Sequence, residues 1–201
     1  MNVRRLLGGW LLITGLVTVT GCVTEGVTSH QPADRTKQLQ TLVDLGVGYL
    51  QNGEYARAKE HLNKALELDS RSALAHNTLA LVFQAEQEFV AAEEHFRAAI
   101  KNDPKFTRSH NNYGAFLFDR KRYDEAIQHL KIASEDRYYA GRAAVFENLG
   151  VCYARQGDAK DAEDSFVRSV ALNPSQARAL IELSEIRFGQ QRFVESRELY
   201  Q

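Results

Sequence analysis

No sign of charge is in marked excess in this sequence. Lys and Arg number 25 against 26 Asp and Glu, a net of −1. Residues 1–21 carry Arg4 and Arg5 and no acid, so without them 23 basic residues stand against 26 acidic ones, a net of −3. A nucleic-acid binder needs a basic face or stripe, and that class is excluded. No apolar run is long enough for a bilayer span: residues 6–19 are interrupted by glycines, Thr14 and Thr18, and about 20 apolar residues are needed. Cysteine is scarce, with only Cys22 and Cys152. Catalytic signatures are missing as well. There is no nucleophile elbow, no phosphate-binding glycine loop, no His-Glu-x-x-His and no Cys-x-x-Cys. No small-molecule substrate site is therefore expected. What remains is ordinary for a globular chain, 44% apolar and 25% charged.

The N-terminus is the most informative short segment. Arg4 and Arg5 form a basic region, residues 6–19 an apolar one, and Val19-Thr20-Gly21-Cys22 follows. A basic region, a short apolar region and small residues at the cut make a secretory signal peptide over residues 1–21. The run at 19–22 resembles the lipobox of bacterial lipoproteins. That resemblance implies a covalent lipid on Cys22, which becomes the first residue of the mature chain; no other cofactor is expected. Several acyl chains anchor a protein lastingly where one would not. Residue 23 is Val and not Asp. By resemblance to lipoprotein sorting in diderm bacteria, this favours the outer membrane, with the domain facing the periplasm. Residues 22–38 show little periodicity and contain Gly26, Ser29 and Pro32, so they read as a flexible tether.

From residue 39 on, apolar residues recur at helical spacing and turns interrupt them at short intervals. Ala58, Ala92 and Ala126 lie 34 residues apart, as do Ala65, Ala99 and Ala133, and Leu62, Phe96 and Leu130. Gly46, Ala80 and Gly114 share that period. After a two-residue insertion the series resumes at Gly150, Tyr153, Ala162 and Phe166, and Pro104 and Pro174 close equivalent repeats. This pattern matches the tetratricopeptide repeat. The fold class expected is an all-α superhelix. Its repeats span 39–72, 73–106, 107–140 and 143–176, with a partial fifth at 177–201. Small residues let the two helices of a repeat approach closely, and stacking supplies the core that no single repeat has. The end of the chain falls inside a helix. Ile181, Phe188, Phe193, Leu199 and Tyr200 have no outer neighbour there, so a longer parent chain is expected, or else a partner that covers this end.

Six histidines raise the question of a metal. His61, His95 and His129 recur at 34 residues, as do His76 and His110. Members of one set sit about a repeat apart, on the order of 10 Å. Zinc ligands bond at about 2 Å, so the histidines read as structural and no metal site is expected. Cys152, left alone once Cys22 is lipidated, cannot form an internal disulfide. It reads as a small, partly buried core residue, with a reactive thiol as the other possibility.

Function is expected in the groove lined by the first helix of each repeat. The partner-binding set is Asn77, Leu81, Asn111, Asn112, Phe118, Asn148 and Val151, an apolar floor with a ladder of asparagines. An Asn offers donor and acceptor together and can pair with a peptide backbone; it also serves simply to solvate a helix face. The lysine-rich clamp that repeat proteins use on acidic C-termini is absent, which argues against a heat-shock co-chaperone.

Three local stretches are more specific: residues 111–117 (Asn-Asn-Tyr-Gly-Ala-Phe-Leu), the insertion at 138–142, and residues 147–152 (Glu-Asn-Leu-Gly-Val-Cys). With them the chain resembles the type IV pilus biogenesis and stability lipoproteins, the PilF/PilW type. The resemblance implies an outer-membrane repeat lipoprotein acting as a pilotin. Its partners are then the secretin subunits of the pilus machinery, whose localisation and multimerisation it promotes, or it stabilises the pilus. Family members typically continue to a sixth repeat. Many carry a Cys where this chain has Phe118, able to pair with the residue equivalent to Cys152; the resemblance implies that this bridge is lost here. A general periplasmic adaptor for peptidoglycan enzymes or cell division is the other role open to a repeat lipoprotein.

If Cys22 carries the lipid, Cys22→Ser leaves the protein uncleaved or free of the membrane. Metabolic labelling with palmitate checks this; label retained by the variant rejects the assignment.

Overall fold

The computed structural model describes residues 32–199. Among them are ten α-helices and no strand: α1 Pro32–Gln51, α2 Tyr55–Leu68, α3 Ala73–Ala85, α4 Phe89–Asn102, α5 Thr107–Asp119, α6 Tyr123–Glu135, α7 Arg142–Gln156, α8 Ala159–Leu172, α9 Ala177–Gly189 and α10 Phe193–Glu198. Each odd-numbered helix and the even one after it form an antiparallel pair, and pairs stack in chain order. This is the tetratricopeptide superhelix that the 34-residue period predicts.

The turns explain why the helices stop where they do. Every first helix of a pair ends in a residue with positive φ: Gly53, Gln87, Lys121, Gly157 and Gln191. The N–H that follows reaches back five residues, as from Glu88 to the Phe83 carbonyl (2.9 Å) and from Arg122 to that of Leu117 (2.9 Å). That is the Schellman ending, which satisfies otherwise orphaned carbonyls. The turns between pairs use a different device. Asp69, Asp103, Asp136 and Asn173 each accept the backbone N–H two residues on, at 2.9–3.1 Å. Such Asx turns compete with helix and so begin a new direction. Ser72 then caps α3 by accepting the Ala75 N–H.

Within a pair, a bulky side chain sits on a residue with little or none. A Cβ built on Gly46 would lie 2.6 Å from Leu62 Cγ, one on Gly114 2.6 Å from Leu130 Cγ, and one on Gly150 2.6 Å from Phe166 Cε1. Ala58, Ala92, Ala126 and Ala162 are fully buried beside them. Ser169 takes the place held by Ala65, Ala99 and Ala133 and donates its hydroxyl to the Ala143 carbonyl at 2.9 Å. Between pairs, Phe96 packs on Tyr113 and Phe116, both with ring centroids 5.5 Å away. Arg122 clamps Glu93 of the preceding pair and Glu125 of its own, and Arg192 repeats this with Glu163 and Glu195.

Two expectations change. The tether drawn to residue 38 is shorter, because α1 already runs from Pro32, and Arg35 on it donates to the Leu68 carbonyl. Leu199 is not bare: it is part-buried against the cluster of Val151, Ala162, Phe166, Ala179 and Leu183, while Ile181, Phe188 and Phe193 do stay exposed. Cys22, the rest of the tether before residue 32, and Tyr200 lie outside the described residues.

The positive φ of Lys121 (+60°) costs a non-glycine residue about 1–2 kcal/mol, which glycine avoids at the expense of extra unfolded-state entropy. Lys121→Gly is expected to stabilise by about 0.5–1 kcal/mol, and Gly157→Ala (φ +84°) to destabilise by about 1 kcal/mol. Chemical denaturation of the two variants checks the opposite signs.

Candidate protein-binding groove

The odd-numbered helices touch one another in series, α1 to α3, α3 to α5, α5 to α7 and α7 to α9, whereas no even-numbered helix touches the next even one. The odd helices therefore line the inner, concave side of the stack. Residues on their exposed faces form the groove.

The asparagines are cross-linked along this groove. Asn77 Oδ1 accepts from Ser109 Oγ at 3.1 Å and from Asn112 Nδ2 at 3.2 Å. Asn148 Nδ2 donates to Asn111 Oδ1 at 3.3 Å. The ladder thus braces α3 to α5 and α5 to α7. Asn111, Asn112 and Asn148 remain part-exposed, so their other valences face the groove. Asn77 does not: it is 1% exposed and belongs to the packing between α3 and α5. Val151, at 2% exposed, is likewise enclosed, in a cluster with Phe166 and Leu183. Adjacent first helices approach so closely that these two positions are covered, and neither presents a surface to a partner.

Leu81 and Phe118 stay part-exposed and supply the apolar floor with Ala115 and Ala154. Phe118 packs against two core clusters, lies 5.5 Å from Tyr123 with the rings tilted at 46°, and has the Arg178 guanidinium 5.8 Å from its centroid. Glu147 is occupied, because Oε2 accepts the Ala179 N–H at 3.2 Å near the start of α9. A separate cleft of about 420 Å³ opens on the first repeat, lined by Thr41, Asp44, Leu45, Gly48, Tyr49 and Asn52.

Cys152 is fully buried, and burial pushes its thiol up to about 12. The thiolate is the reactive form, so this residue is core and not a nucleophile. The histidines are arranged differently from the expectation. Members of one set are indeed a repeat apart, but members of different sets meet: His76 with His95 and His110 with His129, each Nδ1 to Nδ1 at 3.0 Å. The signal in the sequence is the 19-residue offset between sets, which joins the two helices of one pair. Among the described residues no three His, Cys, Asp or Glu side chains converge as metal ligands.

Comparison with known proteins adds to this geometry. Models of the tetratricopeptide repeat match residues 43–105 and 106–175. The type IV pilus assembly protein PilF of Pseudomonas aeruginosa is 41% identical over 202 aligned residues, covering 100% of this chain and 79% of that protein. The solved structure of Pseudomonas aeruginosa PilF superposes with a TM-score of 0.81 at 40% identity, over 83% of this chain and 75% of the other. That of PilW, described as a widely conserved type IV pilus biogenesis factor, gives 0.72 at 27% identity, over 81% and 74%.

Removing a buried acceptor leaves its donors without partners, at about 1–3 kcal/mol. Asn77→Ala strands Ser109 and Asn112. It is expected to destabilise the fold by more than Asn148→Ala, which frees only a part-exposed acceptor. Thermal melts of both variants decide the order.

Proposed function

Since the chain belongs to the type IV pilus assembly family of tetratricopeptide-repeat proteins, we propose that it is an outer-membrane lipoprotein that binds subunits of the pilus secretin and promotes their multimerisation. The observation that carries this reading is the similarity to PilF over the full length of this chain, at 41% identity. A lipid on Cys22 holds the domain at the membrane in which a secretin must assemble. The repeat groove then acts as the binding surface.

The groove suits an extended segment of a partner chain. Part-exposed Asn111, Asn112 and Asn148 offer amide donors and acceptors to its backbone, and Leu81 and Phe118 receive apolar side chains. Because the amides are already held by one another, they meet the partner with little freedom left to lose. Such preorganisation strengthens binding by cutting its entropic cost. Nothing in this arrangement requires a bond to be made or broken: the chain works as a scaffold.

Asn111 and Asn148 are partners, so removing both leaves no orphan and is close to neutral for the fold. Asn111→Ala with Asn148→Ala is expected to keep a melt within a few degrees of the parent. Two lost hydrogen bonds at about 0.5–1.5 kcal/mol each weaken partner binding by about fivefold to a hundredfold. Secretin multimers and surface pili, measured in cells that produce the double variant, are expected to fall. Normal multimers with a folded, membrane-anchored variant would move the binding surface off the groove, to the cleft on α1 or the exposed Tyr138.

A further inference from the structure

The chain contains two copies of one device that a scaffold for partner segments does not need. In the second and third repeats a histidine on the first helix and one on the second face each other, Nδ1 to Nδ1, at 3.0 Å. The ring centroids are 5.1 Å apart in one pair and 5.2 Å in the other. The outer nitrogen of the first-helix ring lies on a carbonyl in both: His76 Nε2 is 3.2 Å from the Ser70 oxygen, and His110 Nε2 is 3.0 Å from that of Pro104. A carbonyl only accepts, so Nε2 of His76 and of His110 must carry a proton. In the neutral pair Nδ1 of these rings is then bare, and the inter-ring bond is donated by His95 or His129.

Proton counting follows from that geometry. A neutral pair has one hydrogen between the two Nδ1 atoms. A singly charged pair still has one, with both Nε2 atoms protonated. A doubly charged pair has two, and two N–H groups then point at each other across 3.0 Å. Each pair thus closes on zero or one positive charge and opens on two.

We propose that the His76–His95 and His110–His129 pairs are acid-sensitive latches, fastening α3 to α4 and α5 to α6 until a second proton enters the pair and loosens these two repeats ahead of the rest.

The surroundings support this. Phe83 stacks on His95 at 5.3 Å, and Tyr113 lies 4.7 Å from His129 with the rings tilted, so each second-helix ring is part-buried against an aromatic side chain. Burial and the neighbouring imidazole hold His95 below the usual histidine range and His129 at about 4, in that order of effect. The carboxylates that face them, Glu94 towards His95 and Glu125 towards His129, pull the other way but are outweighed; Arg97 from α4 adds to the repulsion at His129. In an unfolded chain each histidine takes its proton near pH 6.5. Below that pH the unfolded state binds more protons than the latched one, so stability falls as pH falls, down to about 4 for the His129 pair.

The other repeats lack the latch. At the equivalent places the first has Leu42 and His61, and the fourth Phe146 and Ser165. His61 stacks on Tyr49 and its buried Nδ1 has no hydrogen-bond partner. The fourth repeat therefore supplies a pair without titrating groups that this fold already accepts. The latches also adjoin the amide brace: His76 precedes Asn77 and His110 precedes Asn111. Opening them frees the helices that the ladder ties together, whatever partner the groove takes.

The test compares the parent chain with His76→Phe, His95→Ser, His110→Phe and His129→Ser combined. Urea unfolding at pH 7, 6 and 5 reads the folding constant. In the parent, each latch is expected to lower it by up to about tenfold per pH unit below 6.5, relative to the fourfold variant. Parallel curves for the two proteins overturn the proposal. Ring-nitrogen NMR of the parent decides even if the variant fails to fold. One proton taken up per pair down to pH 5, with one Nδ1 still bare, is the expected result; two protons per pair with the helices intact overturns it. Amide exchange at pH 5 adds the location. Protection lost in α3–α6 before α7 and α8 is expected, and uniform loss overturns the assignment.

Discussion

A bulky side chain lying on a residue with almost none is the contact on which every repeat depends. Leu62 over Gly46, Leu130 over Gly114 and Phe166 over Gly150 leave no room for a Cβ, and Ala80 faces Phe96 in the same cluster. The buried alanines of the second helices stand beside them. Close approach puts two backbones where side chains of ordinary size would hold them apart, and close-packed interiors forgive little change of volume. Once the pair is closed, its outer faces present aromatic and aliphatic residues to the next pair. The stack is a repetition of one local solution, with stability divided between pairs and the seams that join them.

The seams carry the polar chemistry, and here stability and binding compete for the same atoms. Asn77 is spent wholly on bracing, with two donors on one buried oxygen. Asn111 and Asn148 spend one valence on each other and keep the rest at the groove. Phe118 divides itself between two neighbouring clusters and the concave surface. A groove built this way is stiff because its lining is also its frame. That stiffness favours recognition of a partner by fixed amides, and it makes the groove sensitive to anything that loosens α3 or α5.

Much of this was legible in the chain. The 34-residue recurrence of Ala58, Ala92 and Ala126 announced the helix pairs, and the stretches at 111–117 and 147–152 pointed to the pilus assembly family. A core place for Cys152 was also among the readings open to a lone cysteine, and its full burial settled it against a reactive thiol. Recurrence, however, describes equivalent places in different repeats. It is silent on which different places meet inside one repeat. Spacing alone therefore separated the histidines into distant sets, while the antiparallel turn carries His76 onto His95. Helical periodicity likewise assigned Asn77 and Val151 to an open face, because it does not register how near the neighbouring first helix comes.

The sequence by itself determined the repeat, its register and the family, since each rests on residue types at fixed separations along the chain. Only the tertiary structure decided which groove residues remain accessible, which amides are already paired, and where the histidines touch. Those depend on distances between helices that are remote in sequence, and such distances are set by packing at the seams. A one-dimensional period holds no measure of them.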